Sequence, residues 1–397
     1  MATGAPDIRK GLAGVVVDST AISKVMEETN SLTYRGYPVQ ELATTCSFEE
    51  VAYLIWHGEL PNAEQLRRFM ESERARRGLT RSQIAVLGRL PDTCHPMDTL
   101  RTAVSLLGTE DPEAENPDPA LALGKALDLM AKLPTVVALD SRRRRGLDPI
   151  APNPRLGFAE NFFHMCFGEV PEPEVLRCFE ISLILYAEHS FNASTFTARV
   201  VTSTLSDMYS AVTAAIGALK GSLHGGANEA VMHMMLEIGD PGRAATWLKD
   251  ALRDKRKVMG FGHRVYKHGD SRVPTMKQAF LAMAASRHGQ KWVEIYDALE
   301  RTMLEEKGIH PNLDFPTGPA YYLMGFDIPL FTPIFVMSRI TGWTAHIIEQ
   351  AQANALIRPL SAYIGAEQRP VPSAALRLTA EGAGRLAGPS RAPGPDA

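Results

Sequence analysis

The chain has 397 residues, 45% of them hydrophobic and 22% charged, with a formal net charge of −3. That length can bury a large core over two or three domains, and the near-neutral charge excludes a dedicated nucleic-acid binder. Cys46, Cys94, Cys166 and Cys178 are scattered without a CxxC pair, which excludes a disulfide framework and fits reduced thiols of a cytoplasmic protein.

No apolar run reaches the ~18 residues of a membrane span, and residues 1–11 lack the apolar stretch of a secretory signal. The runs Gly-Leu-Ala-Gly-Val-Val-Val-Asp-Ser-Thr (11–20) and Leu-Thr-Tyr-Arg-Gly-Tyr (32–37) are β-branched or aromatic and bounded by turn residues. They predict a small N-terminal β-hairpin. Ser47-Phe-Glu-Glu50 has capping-box spacing and opens a helix over 51–56 that stops at Gly58. Helical periods follow over 63–77, 82–90, 99–107 and 121–139, the last expected to kink or split at Pro134. The acidic, proline-bearing stretch 108–119 reads as a loop, and the four arginines at 142–145 as a solvated helix end. Further helices are predicted over 159–167, 173–187, 271–287, 292–307 and 332–357. Beyond Arg369 the composition turns to Pro, Ala and Gly, and a disordered tail is expected over 370–397. With so few strands the fold class is all-α, two-domain, with a small β start.

Three polar islands interrupt this helical chain. The first, Gly-Ser-Leu-His224-Gly-Gly-Ala-Asn228, places a histidine between two helices, with Asn228 as the N-cap of the second. The positive end of a helix disfavours imidazolium, so a neutral His224 can donate a hydrogen bond to a carbonyl oxygen. The second, Gly260-Phe-Gly-His263-Arg-Val-Tyr-Lys267, lacks the third glycine of a dinucleotide loop and follows a charged segment where a buried strand is required. Lys255, Arg256 and Lys257 beside a tight glycine turn instead suit a phosphorylated ligand, with His263 near its reactive end. Arg272 can grip a carboxylate bidentately. In the third, Asn312-Leu-Asp314-Phe-Pro316, apolar neighbours make Asp314 a stronger base than a hydrated carboxylate, suited to removing a proton beside a thioester or ketone. The competing reading is an N-cap. With Arg339, Arg358 and His189, these residues form a set of cations and donors fit to cage a small polycarboxylate.

Together the islands resemble the citrate synthase family. The matching stretches are Glu188-His-Ser-Phe-Asn-Ala-Ser-Thr-Phe196, 221–228, 260–267, Asp270-Ser-Arg272, 312–318, Phe331-Thr-Pro-Ile-Phe-Val-Met-Ser-Arg339 and Leu356-Ile-Arg-Pro359. They span about 11–365, and the wording is nearest the short bacterial branch that includes 2-methylcitrate synthases. Ser222, where many members carry proline, and the alanine- and proline-rich tail depart from the pattern. The resemblance implies a homodimer in which a large helical domain (1–222 and 327–369) is closed by a small one (223–326). It implies that Asp314 takes an α-proton from an acyl-CoA, that His224 holds the thioester oxygen, and that His263 polarises the ketone of oxaloacetate. His189, Asn192, Arg272, Phe335, Arg339 and Arg358, the last from the partner subunit, would surround oxaloacetate. Lys255, Arg256, Lys257, Val258, Met259, Gly260, Phe261, Gly262 and Asn312 would bind CoA. The thioester is a substrate, and neither a metal nor another cofactor is implied. The expected reaction joins propionyl-CoA to oxaloacetate and hydrolyses the product thioester, with acetyl-CoA also accepted. The alternative is acetyl-CoA as the main donor, because one methylene separates the two acyl groups.

Overall fold

The structure, a computed structural model, describes residues 8–26, 28–263, 265–266, 269–371 and 373–374. Within Asp18–Ile357, one of two compact units, the chain opens with three short strands: β1 (Ser23–Met26), β2 (Ser31–Tyr34) and β3 (Tyr37–Pro38). They form an antiparallel sheet in the order β1-β2-β3, with Ser23 opposite Tyr34 and Tyr34 opposite Tyr37. Arg35 and Gly36, both at positive φ, make the two-residue turn between β2 and β3. The predicted strand over 11–20 is not formed. After a 3₁₀ turn at Lys10–Leu12, residues 15–20 are irregular, and Val16 is 90% exposed. Its β-branched run pairs with no strand among the described residues, and pairing rather than propensity makes a strand.

Sixteen α-helices follow among the described residues: α1 (Val39–Thr45), α2 (Phe48–His57), α3 (Ala63–Arg76), α4 (Arg81–Leu87), α5 (Pro96–Glu110), α6 (Pro119–Arg144), α7 (Phe158–Phe167) and α8 (Pro173–Tyr186). Then come α9 (Ala193–Ser203), α10 (Met208–Leu219), α11 (Ala227–Ile238), α12 (Pro241–Arg253), α13 (Val273–Ser286), α14 (Gln290–Lys307), α15 (Asp314–Leu323) and α16 (Phe331–Gln352). Local chemistry sets many of their ends. Ser47 and Glu50 close the predicted capping box on α2, and Gly58 ends that helix in the left-handed region. The α6 helix runs unbroken through Pro134. Burial of Leu133 and Val136 on either side of the proline outweighs a local cost of about 3 kcal/mol. Arg142–Arg145 are not a bare solvated end, since Arg143 and Arg144 both grip buried Asp140 and Arg145 pairs with Asp327.

The core is built around α16. Every residue from Phe331 to Ile347 is buried, so this helix is enclosed on all sides, and α6, α8, α9 and α10 pack on it. It stops at Gln352, five residues short of the predicted end. None of the helices among the described residues is long and apolar enough to cross a membrane. The second unit comprises the terminal segments through Val17 and from Arg358. Its side chains include the exposed Leu360, Tyr363 and Ile364. The expected tail lies outside the described residues from 375 onward, as do residues 1–7 and Lys267.

Candidate active site

The site is assembled on the C-terminal end of α8. The last turn of a helix leaves carbonyls without intrahelical partners and carries the negative end of the helix dipole. Here side chains from elsewhere satisfy them. Ser338 donates to the Leu183 carbonyl, and the buried Tyr34 hydroxyl lies 3.0 Å from those of Ile184 and Glu188. Arg339 Nε donates to the Tyr186 carbonyl at 2.6 Å, and Arg272 Nη1 reaches the Leu185 carbonyl at 3.4 Å. One helix end thus orients two buried guanidiniums from α16 and from the N-cap of α13.

Their charges are balanced differently. Against the pull of burial, Asp270 grips Arg272 through two bonds of 2.9 and 2.7 Å and raises its pKa. Burial lowers Arg339 to about 10, partly offset by Glu188. Glu188 itself is held ionised despite burial by His346, whose Nε2 is 2.9 Å away. Two buried nitrogens beside these arginines have no hydrogen-bond partner among the described residues: Nη1 of Arg339 and Nε2 of His189. Unpaired buried polar groups are costly, and the guanidinium N–H of Arg339 is disposed to receive an acceptor group from a ligand.

The hydrogen bonds of two imidazoles fix their tautomers. His224 lies in the turn between α10 and α11, and its Nε2 receives the backbone N–H of Ser194 at 3.3 Å. A backbone N–H can only donate, so Nε2 is the unprotonated nitrogen and Nδ1 bears the proton. Ser194 Oγ lies 2.8 Å from the same nitrogen and accepts the indole N–H of Trp343. In His263, Nδ1 receives the N–H groups of Val265 and Tyr266 at 3.1 and 3.2 Å, leaving Nε2 to carry the proton. Burial first, then Arg339 for His224 and Arg272 for His263, lowers these rings to about 3 and about 4. Both are neutral at pH 7, each with one N–H to offer. The His189 ring lies 5.0 Å from that of His263, tilted by 54°, and is likewise pushed well below the usual range, by burial and then by Arg272.

Asp314 occupies the first turn of α15 and caps nothing. Its own N–H is received by Asn312 Oδ1 at 3.1 Å. Burial pushes its carboxyl up to about 6, against the lowering effect of a 2.6 Å hydrogen bond from Tyr186. The Tyr186 ring packs 4.1 Å from Phe335, which lies 6.5 Å edge-on from His224 and 4.8 Å beneath the Arg339 guanidinium. Asp270 Oδ2 receives the N–H of Leu313, tying Arg272 to the start of α15. His189, His224, His263, Arg272, Asp314, Phe335 and Arg339 therefore belong to one contact network.

Other predicted residues stand apart from that network or play local roles. Asn192 caps α9 by receiving the Thr195 N–H, and its Oδ1 lies 2.8 Å from Ser194 Oγ. Asn228 is buried in the second position of α11 and is not its cap, because Gly226 fills that place. Asn312 donates to the Gly262 carbonyl at 3.0 Å and, through its backbone, to Gly260. It so clamps a loop in which Gly260 and Gly262 sit at φ 86° and 78°. A Cβ on Gly260 would fall 2.5 Å from Val231, so this position requires glycine. Val258, Met259 and Phe261 are half-buried, and Lys255, Arg256 and Lys257 exposed. Arg256 already contacts Glu237 and the face of Trp247. Arg358 belongs to the unit of terminal segments and is exposed. Tyr186, Ser194 and Trp343 carry no role in the sequence reading. Tyr186 ends an apolar helical run and reads as core, the only clue being the charged Glu188-His189 pair directly after it.

A helical body that gathers a buried carboxylate, neutral N–H-bearing imidazoles and two buried guanidiniums around one helix end is an enzyme scaffold for acid–base chemistry at a carbonyl. The chain belongs to the citrate synthase family: the family model described as "Citrate synthase, C-terminal domain" matches residues 11–360. It is 68% identical over 367 residues to the 2-methylcitrate synthase of Mycobacterium tuberculosis, covering 92% of this chain and 93% of that one. It is 67% identical over 365 residues to a citrate synthase of Mycolicibacterium smegmatis, covering 92% and 97%. Among solved structures, a ternary complex of Thermoplasma acidophilum citrate synthase with carboxymethyl-CoA and oxaloacetate aligns with a TM-score of 0.86. That pair is 32% identical, with 94% of this chain and 100% of that one covered.

Proposed function

We propose that the protein is a 2-methylcitrate synthase, condensing propionyl-CoA with oxaloacetate and releasing 2-methylcitrate and free CoA, with acetyl-CoA as a secondary substrate. The observation that carries the condensation chemistry is the pair of fixed tautomers, and the 68% identity to the M. tuberculosis 2-methylcitrate synthase supports the propionyl preference. His224 Nδ1–H and His263 Nε2–H are the protons left to donate, and both rings are neutral at working pH. An uncharged imidazole stabilises a developing oxyanion by a hydrogen bond matched to an enol in proton affinity.

In the proposed sequence, Asp314, ionised above about pH 6, takes a proton from the α-carbon of the thioester. His224 holds the thioester oxygen as the enol or enolate forms. The α-carbon attacks the ketone carbon of oxaloacetate, and His263 Nε2–H supplies the proton to the ketone oxygen. Water then cleaves the thioester bond, so CoA leaves as the thiol. The Arg339 Nη1, without a partner among the described residues, and the neighbouring Arg272 and His189 support binding of the oxaloacetate carboxylates. The clamped turn around Gly260 and the exposed Lys255 and Lys257 support a CoA phosphate site.

Residues 223–326 are proposed as a lid. It would carry Arg272, whereas Arg339 lies outside it, so a dicarboxylate held by both draws the lid shut. Closure then keeps water from the thioester until the carbon–carbon bond has formed. The functional unit is proposed to be a homodimer with Arg358 reaching the partner's site. Large exposed apolar side chains around Arg358, such as Leu360 and Ile364, support a covering second copy. A citrate synthase acting mainly on acetyl-CoA is the second reading, favoured by the similarity to the M. smegmatis enzyme. The test is thiol release with oxaloacetate plus either acyl-CoA. A higher kcat/KM for propionyl-CoA is expected. Preference for acetyl-CoA would select the second reading, and no release with either would remove both.

A further inference from the structure

Glu229 has no part in the chemistry just described, yet its carboxylate sits where three helices begin. It lies in the first turn of α11, five residues after His224, and its side chain is 16% exposed. Oε1 receives both the hydroxyl and the backbone N–H of Thr332, the second residue of α16. Oε2 lies 3.2 Å from Nε2 of His95, the N-cap of α5. The Nδ1 of His95 accepts the N–H of Met97, so Nε2 carries the proton and donates to Glu229. One negative charge therefore meets the positive ends of α5, α11 and α16 together, where the helix dipoles favour it most.

The geometry between Glu229 and His224 is stiff. Gly225 N donates to the Leu219 carbonyl at 2.9 Å, and a Cβ on Gly225 would lie 2.5 Å from that oxygen. The Thr332 hydroxyl is also 3.4 Å from the Gly225 carbonyl. At the other end of the same turn, Lys220 pairs with Asp98 of α5 at 2.7 Å. The segment presenting His224 is thus tied at both ends to α5. At the Glu229 end it is tied as well to α16, which carries Phe335 and Arg339. The Lys220–Asp98 pair is solvent-facing and of small worth. The Glu229 contacts are more enclosed and join three helices.

We propose that Glu229 is a positioning residue for His224: it anchors the turn that presents the imidazole to α16 and α5, setting His224 against Phe335 while the rest of the lid moves. This rests on the synthase reading above. Displacing a catalytic group by about 1 Å costs on the order of 100-fold in rate. Glu229→Ala in the full-length protein should therefore lower kcat about 10- to 100-fold. The affinity for oxaloacetate should stay within about threefold, because His189, Arg272 and Arg339 are held by other contacts. Glu229→Gln keeps an acceptor for Thr332 and should recover much of kcat. Thr332→Val should reproduce part of the loss, and its combination with Glu229→Ala should be less than additive.

The measurements are thiol-release kinetics and oxaloacetate calorimetry on wild type and variants in parallel. If Glu229→Ala does not fold, Thr332→Val carries the comparison, with Glu229→Gln as its conservative control. A kcat within about twofold of wild type in Glu229→Ala, or in Thr332→Val where Glu229→Ala does not fold, or oxaloacetate affinity falling in step with kcat, overturns the proposal. An inactive wild type would instead sink the synthase reading, so the two failures are distinguishable.

Discussion

The hydrogen bond from Tyr186 to Asp314 makes the sharpest prediction. Tyr186→Phe removes one oxygen and leaves the ring against Phe335. The phenol donates at 2.6 Å to the carboxylate, so it favours the ionised form and lowers a pKa that burial has raised to about 6. A hydrogen bond to a charged group is worth about 1.5–3 kcal/mol, which at about 1.4 kcal/mol per pKa unit moves the base up by about one to two pH units. Because the base must be ionised, activity is lost as pH falls through its pKa. The acid limb of kcat/KM for the acyl-CoA should move from near pH 6 to between about 7 and 8. Thiol release measured from pH 5 to 9 reads this directly. The variant should be most impaired at low pH and approach wild type at high pH. A limb that stays within about 0.3 pH units, or moves down, would refute the reasoning that Tyr186 stabilises the carboxylate.

Other variants separate chemistry from binding and folding. Asp314→Asn should abolish turnover while leaving oxaloacetate affinity nearly intact. It should also raise the unfolding temperature at pH 7–8. The wild-type carboxyl binds its proton more tightly folded than unfolded, so folding loses stability as pH climbs from about 4 to about 6, by about 3 kcal/mol. Thermal melts at pH 5 and pH 8 check this, with the gain expected mainly at the higher pH. Gly260→Ala forces a side chain into the left-handed region and onto Val231, costing about 1–3 kcal/mol. Its KM for acyl-CoA should rise more than its dissociation constant for oxaloacetate. Arg358→Ala should weaken oxaloacetate binding at least tenfold, and mixed dimers pairing an Arg358→Ala subunit with an Asp314→Asn subunit should recover one working site, whereas a doubly substituted subunit paired with wild type should have none.

Local sequence chemistry made much of the scaffold legible. The Ser47–Glu50 box, the Gly58 stop and the helix periods mark elements whose ends are settled by neighbouring residues. The three islands, with His224, His263 and Asp314, stood out because glycine and proline interrupt apolar helices there. What escaped depends on contacts between distant parts of the chain. The run at 11–20 has the composition of a strand but pairs with none among the described residues. Pro134 should break a helix, yet burial on both sides holds it straight enough to continue. Tyr186 looks like any core aromatic until α15 places Asp314 against its hydroxyl. Asn228 has the chemistry of a cap, but the chain reaches helical geometry at Ala227 and buries Asn228 instead.

A crystal structure with oxaloacetate and an unreactive propionyl-CoA analogue bound would bear most directly on the convergence of the three groups. The acyl α-carbon should lie about 3–3.5 Å from the Asp314 carboxylate, with His224 Nδ1 on the thioester oxygen and His263 Nε2 on the ketone oxygen. An analogue seated with its α-carbon away from Asp314, or with either imidazole turned from its oxygen, would contradict the mechanism.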